Sequence, residues 1–187
     1  YVLTQSGYDL NPPQQAIAKG LDITREYTDA SGAVVSQITL VQKVNVPLKI
    51  RSNSTEGQDN LAIVDLLPGG FEVVQQTPPE VLEQEGEEDQ DPSYWDPLMI
   101  DGSSMHPEYT DIREDRVIIY GQATNSVQEF IYQIKPTNTG IFIVPPAYGE
   151  AMYDREIQAM SVGGGTIQVV APIEKAKENE EYAAPCH

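Results

Sequence analysis

Residues 140–154 read GIFIVPPAYGEAMYD. The stretch opens as a strand, with Ile141 and Ile143 pointing one way and Phe142 and Val144 the other. Pro145 and Pro146 stop it, because proline has no N–H to give to a sheet ladder. Residues 147–154 then read as an apolar, ring-bearing loop carrying Tyr148, Met152 and Tyr153. A strand that delivers a Met-Tyr pair to a loop tip presents a contact, and no chemistry is expected on it. The residues alone leave two readings of that pair. Methionine and tyrosine bury well, which favours core. The charged run Asp154-Arg155-Glu156 directly after them favours an element end near the surface.

Outward from this stretch the chain reads as short strands. Residues 116–121 and 127–135 precede it as two strands, and residues 157–160 and 166–170 follow it as two more. Gly163-Gly164-Gly165 is a hinge or bulge before the last. Residues 107–115 read as one helical turn or a loop. Further upstream, residues 43–51 alternate most cleanly: Val44, Val46, Leu48 and Ile50 against Lys43, Asn45, Pro47, Lys49 and Arg51. Pro47 marks that strand as an edge or irregular one. Residues 21–28 alternate Leu21, Ile23, Arg25 and Tyr27 against Asp22, Thr24 and Glu26. The Asp29-Ala30-Ser31-Gly32 turn joins them to a strand over 34–41, an expected hairpin. Residues 52–60 are a polar loop, and its Asn53-Ser54-Thr55 sequon is a short pattern of little weight. Residues 61–67 are an apolar run broken only by Asp65. Pro68-Gly69-Gly70 turns the chain into a strand over 71–74. Eight to ten short strands without a long amphipathic helix give an all-β sandwich, two sheets around one core.

The expected organisation is an arm over 1–19, a β-sandwich domain over 20–172 and a flexible tail over 173–187. Residues 77–97 carry eight acids and four prolines, too little apolar surface to offset ordering entropy. They read as a mobile acidic insertion, with Tyr94, Trp95, Leu98, Met99 and Ile100 docking back on the body. Because the chain begins at Tyr1 without a methionine or a leader pattern, it reads as a fragment or a mature product.

Composition removes several function classes. Eleven basic against 29 acidic residues give a net charge of −18. That charge repels phosphates, so neither nucleic acid nor an anionic membrane surface is an expected partner. No run approaches the ~20 apolar residues of a membrane span. The single cysteine, Cys186, allows no internal disulfide, and no Cys/His zinc spacing exists. The acidic insertion lacks the ordered calcium loop, and the triple glycine lacks the Lys-Ser/Thr of a phosphate loop. Only His106 and His187 are available as a general base. His187 is terminal. His106 follows Ser103, Ser104 and Met105 in a polar loop, a closeness in sequence that is no triad signature. The cluster Asp111, Arg113, Glu114, Asp115 and Arg116 enters a strand. One arginine pinning the loop through carboxylates fits it better than a partner contact, above all for Arg116.

Four blocks then occur in order: Asp65-Leu66-Leu67-Pro68-Gly69-Gly70-Phe71-Glu72, Arg113-Glu114-Asp115-Arg116-Val117, Phe142-Ile143-Val144-Pro145-Pro146-Ala147 and Glu150-Ala151-Met152-Tyr153-Asp154. Gly20-Leu21-Asp22-Ile23-Thr24-Arg25-Glu26-Tyr27 fits upstream. Together they resemble the C-terminal, MG10-type macroglobulin domain of bacterial alpha-2-macroglobulins. Each block alone is weak, and their order is specific. The acidic insertion and the tail after Pro172 depart from the pattern.

The resemblance implies a macroglobulin-like antiparallel β-sandwich without catalysis or cofactor. Its parent would be a large periplasmic protease inhibitor held at the inner membrane by an N-terminal lipid anchor. A target protease cuts a bait region, the parent rearranges, and in some members a Cys–Gln thioester couples to the protease. The bait region and the CxEQ thioester motif are absent here and belong upstream. In thioester-bearing members this domain packs on the thioester domain. By motif Met152 and Tyr153, with Tyr148, are the shield that keeps water from the acyl group. Pro68, Gly69, Gly70, Arg113, Asp115, Arg116, Pro145 and Pro146 are then structural. Implied partners are the thioester-type and other macroglobulin domains of the same parent, and target proteases through it. The rival readings are a stand-alone adhesion module using the acidic insertion, and a hydrolase using His106.

Overall fold

A computed structural model describes residues 15–78, 95–163 and 165–172. The arm up to residue 14, the insertion over 79–94 with Tyr94, Gly164, and the tail with Cys186 and His187 lie outside the described residues. Within them the regular elements are strands: β1 (Ile17–Lys19), β2 (Leu21–Arg25), β3 (Gln37–Thr39), β4 (Val44–Ser52), β5 (Gln58–Leu66), β6 (Phe71–Val74), β7 (Tyr109–Ile112), β8 (Arg116–Ala123), β9 (Gln128–Pro136), β10 (Gly140–Ile143), β11 (Ala147–Ala151), β12 (Asp154–Met160) and β13 (Thr166–Val170).

A six-stranded sheet in the order β1-β12-β11-β5-β8-β7 packs on a four-stranded sheet, β2-β4-β9-β6. The period-2 pattern is the reason. Leu61 and Ile63 on β5 and Val117 and Ile119 on β8 face Leu21, Ile23, Val46, Leu48, Ile50, Phe130 and Ile134 across the core, all buried. On β11 the inward residues are Ala147, Gly149 and Ala151, small enough for β2 to cross closely. A Cβ on Gly149 would collide with Ile23 and come within 3.2 Å of Leu21. Outside the two expected sheets, β10, β13 and β3 form a third, small one, in which β13 and β3 run parallel. It joins the core through Ile38, Ile167 and Val169 and through Phe142, edge-on to Phe71 at 5.8 Å.

Several expectations are corrected. The 21–28 and 34–41 segments do not form a hairpin. β2 pairs with β4 and β3 with β13, and only a Thr28–Val34 bridge remains. Turn chemistry at Asp29 is satisfied, yet the core takes Ile38 into a different sheet. Pro47 does not mark an edge, since β4 lies between β2 and β9. The Pro47 carbonyl accepts from Glu26 N at 3.3 Å, so its nitrogen faces the point where β2 ends and a single ladder bond is lost. Residues 109–112 are strand β7, paired with β8, and not a helical turn or loop. The arm ends in β1, an edge strand on β12. Leu98 and Met105 are buried and Met99 packs on the core, while Trp95 stays exposed. Asp96 anchors that return, accepting from Leu98 N at 2.8 Å and from Thr110 Oγ1 at 2.8 Å.

One polar cluster sits inside the apolar core. Arg25 on β2 pairs with Asp65 on β5, their side chains 2% and 0% exposed. Arg25 also donates to Leu66 O at 3.2 Å and to Pro145 O. Tyr132 on β9 donates its phenol to the other Asp65 oxygen at 2.7 Å. The ring of Tyr27 lies 5.2 Å from the guanidinium carbon. Burial opposes the charge on Arg25, and Asp65 with the two tyrosines more than offsets it, raising the pKa. Burial pushes the Asp65 carboxyl up, while Arg25 and the Tyr132 donor pull it back.

Asp65→Ala leaves a guanidinium buried without its counter-charge, so it is expected to cost about 3–5 kcal/mol. An Arg25→Met/Asp65→Leu double variant is expected to recover most of that loss. Urea unfolding of the three proteins checks both. Equal midpoints for wild type and Asp65→Ala would remove the cluster from the fold's energetics.

Candidate functional site

Residues 147–154 are not the loop expected from their composition but strand β11, a two-residue turn at Met152-Tyr153, and the start of β12. Alternation continues through the segment because Ala147, Gly149 and Ala151 face the core while Tyr148 and Glu150 face out. The Pro145-Pro146 pair does end β10, as its missing N–H groups require. The chain then re-enters the six-stranded sheet. Ser161 anchors this restart, its hydroxyl accepting from Ala147 N at 2.8 Å and its own N–H donating to Ala147 O at 2.8 Å.

The turn carries the two candidate contact residues into solvent, Met152 44% and Tyr153 85% exposed. Neither has a positive φ, so the turn lacks the primed geometry that matches strand twist. A register shift between Glu150 and Ala151 absorbs the mismatch. The tip is braced from below. Met152 N donates to Asn60 O at 2.9 Å, and Glu156 N to Asp154 Oδ1 at 3.0 Å. Asn60 has φ 54°, the left-handed region that asparagine tolerates better than other non-glycine residues. It lies in a bulge where Asp59 and Asn60 oppose Gln122 alone between the Gln58–Ala123 and Leu61–Gly121 pairs. Sequence reading placed Asn60 in a polar loop and gave it no role.

The remaining candidates lie elsewhere. Tyr148 sits between Val64 and Met160 on the outer face of the sheet. It is four residues from Met152, about 13 Å along a strand, so the structure does not bring it to the tip. Its phenol donates to Glu150 Oε2 at 2.7 Å. Desolvation first, then that bond and the Glu150 charge, push its pKa up to about 12. Pro68, Gly69 and Gly70 form the turn into β6, with Phe71 N on Pro68 O at 3.3 Å and Thr137 N on Gly70 O at 2.7 Å. Arg113 pairs with Asp111 at 2.7 Å, and Arg116 grips Asp115 with two bonds of 2.9 and 2.5 Å. Both pairs lie at or beside the β7–β8 turn, with Arg113 and Asp115 exposed and Asp111 half-buried. That turn, the Pro68 turn and Pro145 gather at the Leu66 end of β5, whereas the Met152-Tyr153 tip stands at the Leu61 end. The hydroxyls of Ser103 and Ser104 serve the backbone: Ser103 Oγ donates to Ile100 O at 2.9 Å, and Ser104 Oγ accepts from Glu129 N at 2.9 Å. His106 is exposed beside them. Among the described residues no three His, Cys, Asp or Glu side chains group as a metal site.

A family model described as the bacterial alpha-2-macroglobulin MG10 domain matches residues 20–156. An alpha-2-macroglobulin homolog of Yersinia pestis is 66% identical over 176 residues, covering 92% of this chain and 9% of the relative. The alpha-2-macroglobulin of Pasteurella multocida is 37% identical over 169 residues, covering 90% and 8%. This chain thus spans less than a tenth of the length of these relatives. The structure of native Escherichia coli alpha-2-macroglobulin, from domain MG7 to the C-terminus, matches with a TM-score of 0.68 at 23% identity, over 89% of this chain and 25% of that one. The methylamine-reacted Salmonella protein gives 0.66 at 20%, over 89% and 10%. These two likenesses show the fold.

Asn60→Val, whose branched side chain is strained in a left-handed backbone, is expected to speed exchange of the Met152 amide. Asn60→Gly leaves it slow. NMR-detected hydrogen exchange reads the difference, and equal rates in both would dismiss the brace. The Tyr148 phenol gives a pH signature. Its folded pKa is raised, so its contribution is complete below pH ~10 and lost as pH rises towards ~12. Glu150→Gln is expected to bring that titration part-way down, because desolvation remains; phenolate absorbance follows it.

Proposed function

The chain belongs to the bacterial alpha-2-macroglobulin family, matching its MG10 domain over residues 20–156, and from that premise we propose that it is a non-catalytic docking domain of a protease inhibitor. The carrying observation is the Met152-Tyr153 tip: a tyrosine 85% exposed on a turn held by the Asn60 carbonyl. A large ring left in water on a braced backbone suits a contact that is completed by a neighbouring domain. The tip has no acid, base or nucleophile aimed at a common point, so its contribution is shape and exclusion of water.

In a parent that carries a thioester, Tyr153 and Met152 lie over the acyl group and shield it until a protease cuts the bait region. The relatives support this reading. The Salmonella protein is known reacted with methylamine, and the E. coli protein activated by elastase and by trypsin. A small amine reacts with an acyl group that solvent can reach. The parent would act in the periplasm, with this domain towards its C-terminal end, and the domain's partners would be the thioester and other macroglobulin domains of the same chain.

Tyr153→Ala in the thioester-bearing full-length protein tests this. Loss of ~1.4 kcal/mol of shielding corresponds to an about tenfold faster reaction with methylamine, read as thiol release. The far-UV spectrum stays unchanged, because an exposed turn residue holds none of the core. Unchanged thiol release in such a parent would end the shielding role.

A further inference from the structure

Among the described residues the small third sheet is open along β10. Val144 N donates to Gly165 O at 2.8 Å, and the register pairs Phe142 with Ile167 and Gly140 with Val169. In an antiparallel ladder the residues between these positions turn their backbone groups the other way. The N–H and C=O of Ile141 and Ile143 therefore point off the sheet, away from β13. Consistent with this, Gln168, opposite Ile141, gives its N–H to Ser36 O on the far side at 2.8 Å. No described residue pairs with the outer side of β10. The side chains of Ile141 and Ile143 are 70% and 60% exposed.

The edge strands of the two larger sheets carry a charged residue. Lys19 ends β1, Asp111 lies on β7, Asp22 on β2, and Glu72 on β6. β10 is Gly-Ile-Phe-Ile, with no charge, no proline and no bulge, the kind of edge that soluble proteins avoid leaving bare. Two donors and two acceptors at strand spacing, beside two apolar side chains on one face, define their complement. It is an extended segment with apolar residues at alternate positions. A second copy of this chain is disfavoured, because each copy brings a net charge of −18. The chain accounts for 9% of the length of its 66%-identical relative, so most of the parent lies outside it.

We propose that β10 is a β-augmentation site, on which an extended segment from elsewhere in the parent chain adds a strand through Ile141 and Ile143. This rests on the family placement and not on the role of the Met152-Tyr153 tip, which stands on a different sheet.

Hydrogen exchange at the Ile141 and Ile143 amides, measured in the 187-residue chain and in the full-length parent, tests it. Expected is fast exchange in the short chain and at least about 100-fold slower exchange in the parent. Ile143→Lys in the parent is expected to return both amides to fast exchange without altering methylamine reactivity. Fast exchange in both wild-type proteins overturns the proposal. So does protection in the short chain accompanied by a dimer in sedimentation equilibrium, which would make the occupant a second copy. A Tyr153→Ala parent that keeps the protection separates this site from the tip whatever the fate of the shielding role.

Discussion

The fold depends on one buried charge pair. Arg25 and Asp65 come from facing sheets and are fully enclosed, and Tyr132 and the Pro145 carbonyl complete their bonds. Such a pair contributes little net stability, because its desolvation offsets its attraction. Its effect is on alternatives. A one-residue slip of β2 turns Arg25 to solvent and leaves Asp65 buried alone, and a slip of β5 does the reverse. The pair thus holds β2, β5 and the entry to β11 in one relation, whereas an all-apolar core of the same volume tolerates more arrangements.

From that relation the tip follows. Arg25 holds Pro145 at one end of the six-stranded sheet, Ser161 restarts the ladder at Ala147, and β11 runs along β5 to the bulge at Asn60. The small inward residues Ala147, Gly149 and Ala151 let β2 lie close over β11. The motif turns and the tip occupy opposite ends of β5. Blocks that stand together in a sequence pattern therefore divide between the end that carries the motif turns and the end that carries the exposed tip.

Two features of the chain are unusual for a free-standing domain. It leaves a tyrosine in water on a braced turn, and among the described residues nothing pairs with an uncharged strand edge. Both are costs for an isolated domain, and both lose their cost once neighbours cover them. Val41, exposed at φ 67° in the turn after β3, is a third local irregularity, and nothing in the structure explains it.

Alternation of apolar residues was enough to find β4, β8, β9 and β13, and an apolar run marked most of β5; with them came the all-β class, because a half-buried strand imposes a period of two whatever it packs against. It also placed Arg25 in phase with Leu21 and Ile23, and Asp65 stood as the one break in an apolar run, so two opposite charges among core residues were readable in advance. That they meet was not, since 40 residues separate them. Periodicity likewise ended β10 at Pro145-Pro146 but missed β11, where glycine and alanine take the inward positions and erase the contrast. Pairing β2 with β4 instead of the segment after its own turn, setting Asn60 in a bulge beneath Met152, and leaving Tyr153 outside the core were decisions of the tertiary structure. A side chain's neighbours across a sheet are chosen by the global packing of both layers, and no local pattern carries that choice.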